Sequence, residues 1–167
     1  NTTKALTKGY AIGSAALAAF LLFSAYLTEA NLVSVDLAKI DVFVGALLGA
    51  MLVFLFSALT ISAVGKAAFY IVNEVRRQFR EHPGIMLGTE KPDYSTAIDI
   101  TTRGALKEMI LPGILVIVMP IVVGVWLKAE AEAAFLMVAT IAGILMATMF
   151  NNAGGAEALR DMTAIAM

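Results

Sequence analysis

The stretch NTTKALTKGYAIGSAALAAFLLFSAYL, residues Asn1 to Leu27, decides the fold class of this chain. It begins with a polar head and then runs from Tyr10 to Leu27 without a charged residue. At a rise of 1.5 Å per residue, a helix of about 18 residues just reaches across the hydrocarbon core of a bilayer. The stretch therefore predicts a membrane-spanning helix with a polar mouth at its first turn.

Two cations stand in the polar head. Lys4 and Lys8 lie four residues apart, so a helix places both ammonium groups on one face. Threonine hydroxyls and an asparagine amide surround them, and such a face offers positive charge and neutral donors to an anion. Lysines beside a span also set its topology by the positive-inside rule. Spacing alone leaves both interpretations open.

The composition of the whole chain agrees with a membrane protein. Hydrophobic residues make up 60% of the sequence, and the mean hydropathy is +0.85, both far above the values of a soluble domain. We expect an all-α fold, a multi-span transmembrane helix bundle that forms part of a larger one. Four spans are predicted, at about 10–27, 42–64, 109–127 and 133–150, with a tight turn at Lys128 to Glu132 before the last.

Several function classes are disfavoured. The net charge of −1 suggests no nucleic-acid partner. The absence of cysteine excludes disulfides, and with a single histidine a zinc site is not expected. The chain begins with Asn1 rather than methionine and carries no signal peptide. We therefore expect an internal piece of a longer polypeptide.

The segment 65–108 is predicted to be a helical loop outside the membrane. Helical periodicity continues past the second span with charged residues on one face and should end near Glu81, before Pro83. Asp93 is placed to cap a second polar helix that runs through Glu108. Asp93 and Asp99 are interpreted as capping and solvating residues, and His82 as a loop residue rather than a catalytic base.

The lysines and arginines predict the orientation. Four spans put both termini and segment 65–108 on one side of the membrane. Ten of the 12 basic residues then fall on that side, against two on the other, which makes it the cytoplasmic side. The ten are Lys4, Lys8, Lys66, Arg76, Arg77, Arg80, Lys91, Arg103, Lys107 and Arg160, and the two are Lys39 and Lys128.

Glycine pairs predict where helices approach closely. Gly9 and Gly13 lie four residues apart in the first span, and Gly45 and Gly49 repeat the spacing in the second. Pairs of small residues at this spacing let helix backbones come together in membranes.

The predicted spans and their ends lack residues suited to proton conduction or to metal-dependent catalysis. No charged residue lies in the middle of a predicted span, so the chain alone builds no proton relay. No helix end carries a cluster of carboxylates that could hold a metal and a polyphosphate.

The order of motifs closely resembles the membrane-integral pyrophosphatases, of the proton-translocating, potassium-independent type. The string NTTKALTKGYAIGSAAL at 1–17 resembles one transmembrane helix of that family. Three further stretches resemble its following elements in order: GALLGAMLVFLFSALTISAVGKAA at 45–68, EVRRQFREHPGIMLGTEKPDY at 74–94 and LKEMILPGILVIVMPIVVG at 106–124. The chain thus resembles four consecutive spans from the C-terminal half of a sixteen-span pump.

The resemblance implies a function for the parent protein. The family hydrolyses magnesium pyrophosphate at the cytoplasmic ends of its inner helices and moves protons or sodium ions. For this chain the resemblance implies a fragment of a pyrophosphate-energised proton pump of a prokaryotic cell membrane, with Mg²⁺ as cofactor. Pyrophosphate, membrane lipid, the remaining helices of the parent and a second copy in a homodimer are the implied partners.

The resemblance also implies roles for individual residues. Asn1 matches a family residue that contacts the bound ligand. Lys4 stands where potassium-independent members carry a lysine in place of a potassium ion, and Thr7 fits the same subgroup. Lys8 is a possible neighbour of the active site, and Leu22 a possible part of the apolar gate. No residue of the chain is assigned as catalytic.

The last residues depart from the family pattern. After Asn152-Ala153-Gly154-Gly155-Ala156, the family continues Trp-Asp-Asn-Ala-Lys-Lys, whose aspartate helps to hold magnesium. Ala158 stands in place of that aspartate, and Arg160 and Asp161 follow. The isolated chain is therefore expected to be catalytically inactive.

A second class of function is consistent with the absence of a carboxylate cluster that could hold a metal. A small four-span membrane subunit with only a scaffolding or assembly role would need neither a metal site nor a proton relay. The string at 1–17 favours the pump, and the altered motif after Asn152 favours the scaffold.

Overall fold

The computed structural model describes the backbone of residues 6–165 and the side chains of residues 6–153. Its elements, in chain order, are α1 (Lys8–Glu29), α2 (Ile40–Glu81), a short 3₁₀ helix (Pro83–Ile85) and α3 (Tyr94–Ile165). The described residues include no strand. The all-α prediction is therefore confirmed.

Three helices are long and apolar enough to cross a membrane: α1, α2 and the part of α3 from Tyr94 to Ala153. The third departs from helical geometry at Lys128, with φ 70° and ψ 173°, so two helical segments meet there. Here α3a means α3 before Lys128 and α3b means α3 after it. The expectation of four spans stays a prediction, in which α3a contains the third span and α3b contains the fourth.

The tight turn predicted at Lys128 to Glu132 is wrong in its extent. Only Lys128 leaves the helical region, and the helix resumes at Ala129. Alanine and glutamate are strong helix formers. In addition, Glu130 forms an ion pair with Lys39 and Glu132 accepts a hydrogen bond from Tyr26, so both side chains have partners with the helix in place.

Helix boundaries elsewhere follow the local signals. α2 ends at Glu81, one residue before His82-Pro83, because proline cannot continue the hydrogen-bond ladder. Asp93 caps α3: its Oδ1 accepts the Thr96 backbone N–H at 3.1 Å, and its Oδ2 accepts the Thr96 hydroxyl at 2.6 Å. The predicted end of α2 and the predicted cap are confirmed. The polar helix and the following span, predicted as separate, form one continuous helix because no breaker lies between them.

The chain divides into two compact units. Unit 1 comprises Asn1–Phe54 and Val118–Met167, and unit 2 comprises Leu55–Ile117. The core of unit 1 is built by α2 and α3b, where Val42, Ala46 and Ala134 are buried together. Unit 2 contains the rest of α2, the 3₁₀ helix and most of α3a.

Gly45 and Gly49 bring two backbones into contact in unit 1. A Cβ at Gly45 would overlap the backbone carbonyl of Ala131, and one at Gly49 would overlap that of Phe135. Ala131 is fully buried, and Phe135 is 1% exposed. The close approach predicted for this pair is confirmed. Such packing matters in lipid, where dispersion rather than water exclusion holds helices together.

The Gly9–Gly13 pair on α1 makes no comparable contact with the described part of the chain. Gly13 has no atom within 4 Å of an added Cβ, and a Cβ on Gly9 would meet only Asn151 Nδ2 at 3.9 Å. None of the α1 residues is buried. Within this chain, the glycine face of α1 therefore forms no tight helix contact.

We expect Gly49→Ala to destabilise the protein by about 1–3 kcal/mol, because the new methyl group forces two backbones apart. Gly13→Ala is the matched control. It should be neutral or stabilising by about 1 kcal/mol, since alanine favours the helix and meets open space there. Reversible unfolding of the longer protein in mixed micelles measures both, and equal effects would contradict the packing assigned to Gly49.

Candidate functional site

A groove in unit 1 lies beside the start of α1. One wall is the face of α1 that carries Lys8, and the other is the part of α3b that carries Asn151. The groove has a volume of about 560 Å³ and is lined by Lys8, Ala11, Ile12, Ala15, Ala147, Phe150 and Asn151.

Sequence spacing explains why these side chains share the groove. On α1 the lining positions follow the i, i+3, i+4, i+7 pattern of one helix face, and on α3b they follow i, i+3, i+4. The walls are apolar, with an ammonium group and a carboxamide as the polar groups. The fold thus brings the string at 1–17 against the motif that begins at Phe150.

The charge of Lys8 is not neutralised within the described part of the chain. No described carboxylate lies within 4.0 Å of its ammonium group, whereas Lys39, Lys66, Arg77 and Arg103 each pair with a carboxylate. Leu6 to Tyr10 are exposed. A cation and an amide over apolar walls can attract and orient an anion, but they cannot activate water or transfer a proton.

The other predicted site residues are placed as follows. Asn1 and Lys4 lie outside the described residues. Thr7 has helical backbone angles, φ −66° and ψ −39°, and makes no capping hydrogen bond with its side chain. Leu22 is 71% exposed, so most of its side chain is not covered by the described part of the chain. The side chains of Ala158, Arg160 and Asp161 also lie outside the described part.

The donor set of the groove does not fit a magnesium ion. Mg²⁺ takes oxygen ligands, usually one or two carboxylates, while the polar groups here are an ammonium and an amide. Among the described residues, no group of three or more acids or histidines is close enough to hold a metal. We therefore assign no metal-dependent step to these residues.

Unit 2 holds a buried polar network that the sequence analysis missed. Glu74 and Gln78 on α2 are 8% and 5% exposed. Gln78 Nε2 donates to Glu74 Oε1 at 2.9 Å and to the Asp93 carbonyl at 3.0 Å, and Gln78 Oε1 accepts the Asp93 N–H at 3.0 Å. The carboxamide thus joins α2 to the residue that caps α3.

Arg77 completes the network from the exposed side. Its Nε and Nη2 donate to the two oxygens of Glu74 at 2.9 and 2.7 Å, and its Nη1 pairs with Glu81. Hydrogen bonds from Arg77, and then from Gln78, lower the pKa of Glu74 to about 2. Hydrogen bonds from Thr96 hold the pKa of Asp93 below its usual value.

A sequence signal for this network exists. Positions 71, 74 and 78 form one stripe of α2, and the last two are polar. When polar residues occupy a helix stripe that packs against another segment, they are expected to form hydrogen bonds within that buried contact. From the sequence, Glu74 was placed only among the charged residues of the amphipathic pattern, and Gln78 was not singled out.

We expect Gln78→Ala to destabilise unit 2 by about 1–3 kcal/mol, because Glu74 and the Asp93 backbone lose buried partners. Arg76→Ala is the control, since Arg76 is exposed on the same helix and forms no ion pair with a described residue. Protease protection of the 82–93 segment in the longer protein measures both. Equal protection of the two variants would contradict the assigned role.

The pKa of Glu74 also predicts a pH dependence. Because folding lowers this pKa to about 2, the ionised carboxylate contributes stability above its unfolded pKa of about 4.3. That contribution declines as the pH falls from there through about 2. The stability difference between the unmodified protein and Glu74→Gln should therefore shrink below pH 4. A difference that grows on acidification would contradict the network.

Known proteins similar to this chain agree with the family that the string at 1–17 and the motif beginning at Phe150 suggest. The chain is 62% identical over 165 residues to a K(+)-insensitive pyrophosphate-energized proton pump of Caldanaerobacter subterraneus subsp. tengcongensis. It is 62% identical over 163 residues to such a pump of Moorella thermoacetica. It is also 55% identical over 174 residues to pyrophosphate-energized membrane proton pump 3 of Arabidopsis thaliana. Each match covers 93% of this chain.

These relatives are much longer. The chain spans only 22–24% of their length. The family model described as inorganic H+ pyrophosphatase matches residues 1–157. With its long apolar helices, the chain is part of an integral membrane protein. From Asn1 to Glu157, it belongs to the inorganic H+ pyrophosphatase family.

Proposed function

We propose that this chain is a segment of a potassium-independent pyrophosphatase that pumps protons across a membrane. The observation that carries the proposal is the groove of unit 1. It places Lys8, from the polar mouth of α1, beside Asn151, from a motif more than a hundred positions later. Two relatives that are 62% identical to it over the aligned 93% of the chain are named as K(+)-insensitive pyrophosphate-energized proton pumps.

The proposed role of the groove is electrostatic. Pyrophosphate is a small, highly charged anion, so it requires cations and N–H donors held in fixed positions. Lys8 supplies an ammonium group without a carboxylate partner among the described residues, and Asn151 supplies an amide. Asn1 would add a second amide that contacts the ligand.

Lys4 is proposed to replace a potassium ion. A tethered ammonium group can neutralise a phosphate oxygen where a free cation would otherwise bind. Thr7, three residues later in the sequence, fits the same subgroup. Mg²⁺ and the carboxylates that hold it would come from other parts of the longer protein, because the described residues of the groove offer none.

The remaining proposals concern topology and assembly. The termini and segment 65–108 lie in the cytoplasm, as the distribution of basic residues predicts. The glycine face of α1 packs against other helices of the longer protein, since Gly13 has open space around it here. Leu22 contributes to an apolar gate, and the complete protein is a homodimer in the lipid bilayer.

The test uses the full-length protein in sodium-free buffer, with Mg²⁺ and pyrophosphate supplied. Without potassium, Lys4→Ala should lose hydrolysis by about 100-fold, because a cation at the phosphate is missing. Added potassium should restore it. Lys107→Ala, on the exposed surface of segment 65–108, should behave as the unmodified protein does.

Strong activation of the unmodified protein by potassium would refute the role of Lys4. Failure of the unmodified protein to hydrolyse pyrophosphate would refute the function itself and would favour the scaffold subunit. Acidification of sealed vesicles, followed by a pH-sensitive dye, tests whether hydrolysis is coupled to proton movement.

A further inference from the structure

At the end of unit 1 remote from the groove, one carboxylate lacks the partner that its neighbour has. Glu130 is compensated: its Oε2 lies 2.7 Å from Lys39 Nζ, and its Oε1 accepts the Asp36 N–H at 3.1 Å. Glu132 is partly buried, and no described cation lies within 4.0 Å of it. Its described hydrogen-bond partner is the hydroxyl of Tyr26.

The surroundings of Glu132 are shaped to receive a carboxyl group. Its carboxyl carbon lies 2.9 Å from where a Cβ on Gly124 would stand, so the glycine leaves the space that the group occupies. Its helix neighbours Ala131 and Ala133 are both fully buried. The carboxyl group is therefore held between α1, α3a and α3b within unit 1, rather than extending freely into solvent.

The hydrogen bonds around Tyr26 accommodate two protonation states. The hydroxyl oxygen lies 3.2 Å from Glu132 Oε2 and 3.1 Å from the Ala129 carbonyl oxygen. A hydroxyl group has one proton, so it donates to one of these acceptors at a time. When Glu132 is ionised, Tyr26 can donate to the carboxylate. When Glu132 is protonated, the acid can donate to Tyr26 while Tyr26 donates to Ala129.

We propose that Glu132, Tyr26 and the Ala129 carbonyl form a proton-holding site at this end of unit 1. A proton binds Glu132 Oε2 to give the neutral acid, and its transfer to water restores the carboxylate. Ionisable residues within membrane spans mark proton pathways, and Glu132 stands one residue before the predicted fourth span. The use of this site in transport rests on the proposed function. Its ability to hold a proton does not.

The site lies far from the groove. Lys8 and Tyr26 are separated by about 27 Å along α1, at 1.5 Å per residue. In the proposed topology, this end faces the outer side of the membrane, so a pumped proton would reach Glu132 near the end of its path. The other charged side chains of unit 1 at this end are Glu29, Asp36, Lys39, Asp41, Lys128 and Glu130.

The first measurement is an infrared pH titration of the full-length protein. We expect a carbonyl band of a protonated carboxylic acid that disappears in Glu132→Gln and persists in Glu130→Gln. Tyr26→Phe should keep the band and shift its frequency, because the hydroxyl forms a hydrogen bond with the carboxyl group. Absence of a Glu132 band across the neutral range overturns the proposal.

The second measurement is proton transport relative to hydrolysis in sealed vesicles. Glu132→Gln should retain hydrolysis and lose transport by about tenfold or more, since an amide cannot accept the proton. Glu130→Gln should keep the ratio of the unmodified protein. An unchanged ratio in Glu132→Gln overturns the proposal. If that variant fails to assemble, a normal ratio with an unshifted band in Tyr26→Phe overturns it.

The two proposals fail in different ways. If the unmodified protein hydrolyses no pyrophosphate, the proposed function fails, while the infrared titration still decides whether Glu132 holds a proton. If the unmodified protein pumps and Glu132→Gln pumps equally well, only the proton-holding site fails.

Discussion

The contact of two backbones at Gly45 and Gly49 is the constraint on which unit 1 depends. Because neither glycine has a side chain, α2 lies directly against the carbonyl groups of Ala131 and Phe135. This contact fixes where α3b runs after the break at Lys128. It therefore sets the position of α3b, including the part that carries Asn151. In lipid, where apolar side chains gain little by leaving their surroundings, such close packing is a principal source of cohesion.

Polar contacts add to the glycine packing in positioning the helices of unit 1. Close to the break, Glu130 pairs with Lys39 and accepts an N–H from the segment that joins α1 to α2. Tyr26 ties the end of α1 to the first turn of α3b. No residue of α1 is buried, so these hydrogen bonds and the groove at Lys8 locate the helix within unit 1. The polar mouth of α1 and the motif at Asn151 meet as a result.

Unit 2 is held together by buried hydrogen bonds. Its central feature is a carboxamide, Gln78, that forms hydrogen bonds with both the N–H and the carbonyl of Asp93 and with the carboxylate of Glu74. Buried polar groups are costly unless every one finds a partner. Here Arg77 and Thr96 supply the remaining donors. This part of unit 2 is thereby held by directional hydrogen bonds, whereas α2 and α3b in unit 1 are held by contact of their backbones.

The sequence by itself determined the all-α class, the end of α2 before Pro83, the Asp93 cap and the closeness of the Gly45–Gly49 face. These features follow from local rules: apolar length, the missing N–H of proline, a carboxylate that caps a helix, and the absence of a Cβ. Only the tertiary structure decided that α3 resumes its helix at Ala129, that Gln78 is buried, and that Lys8 lies beside Asn151. It also revealed the bond between Tyr26 and Glu132. The contacts of Lys8 with the Asn151 region and of Tyr26 with Glu132 join residues far apart in the chain, and periodicity gives no information about which distant faces will meet.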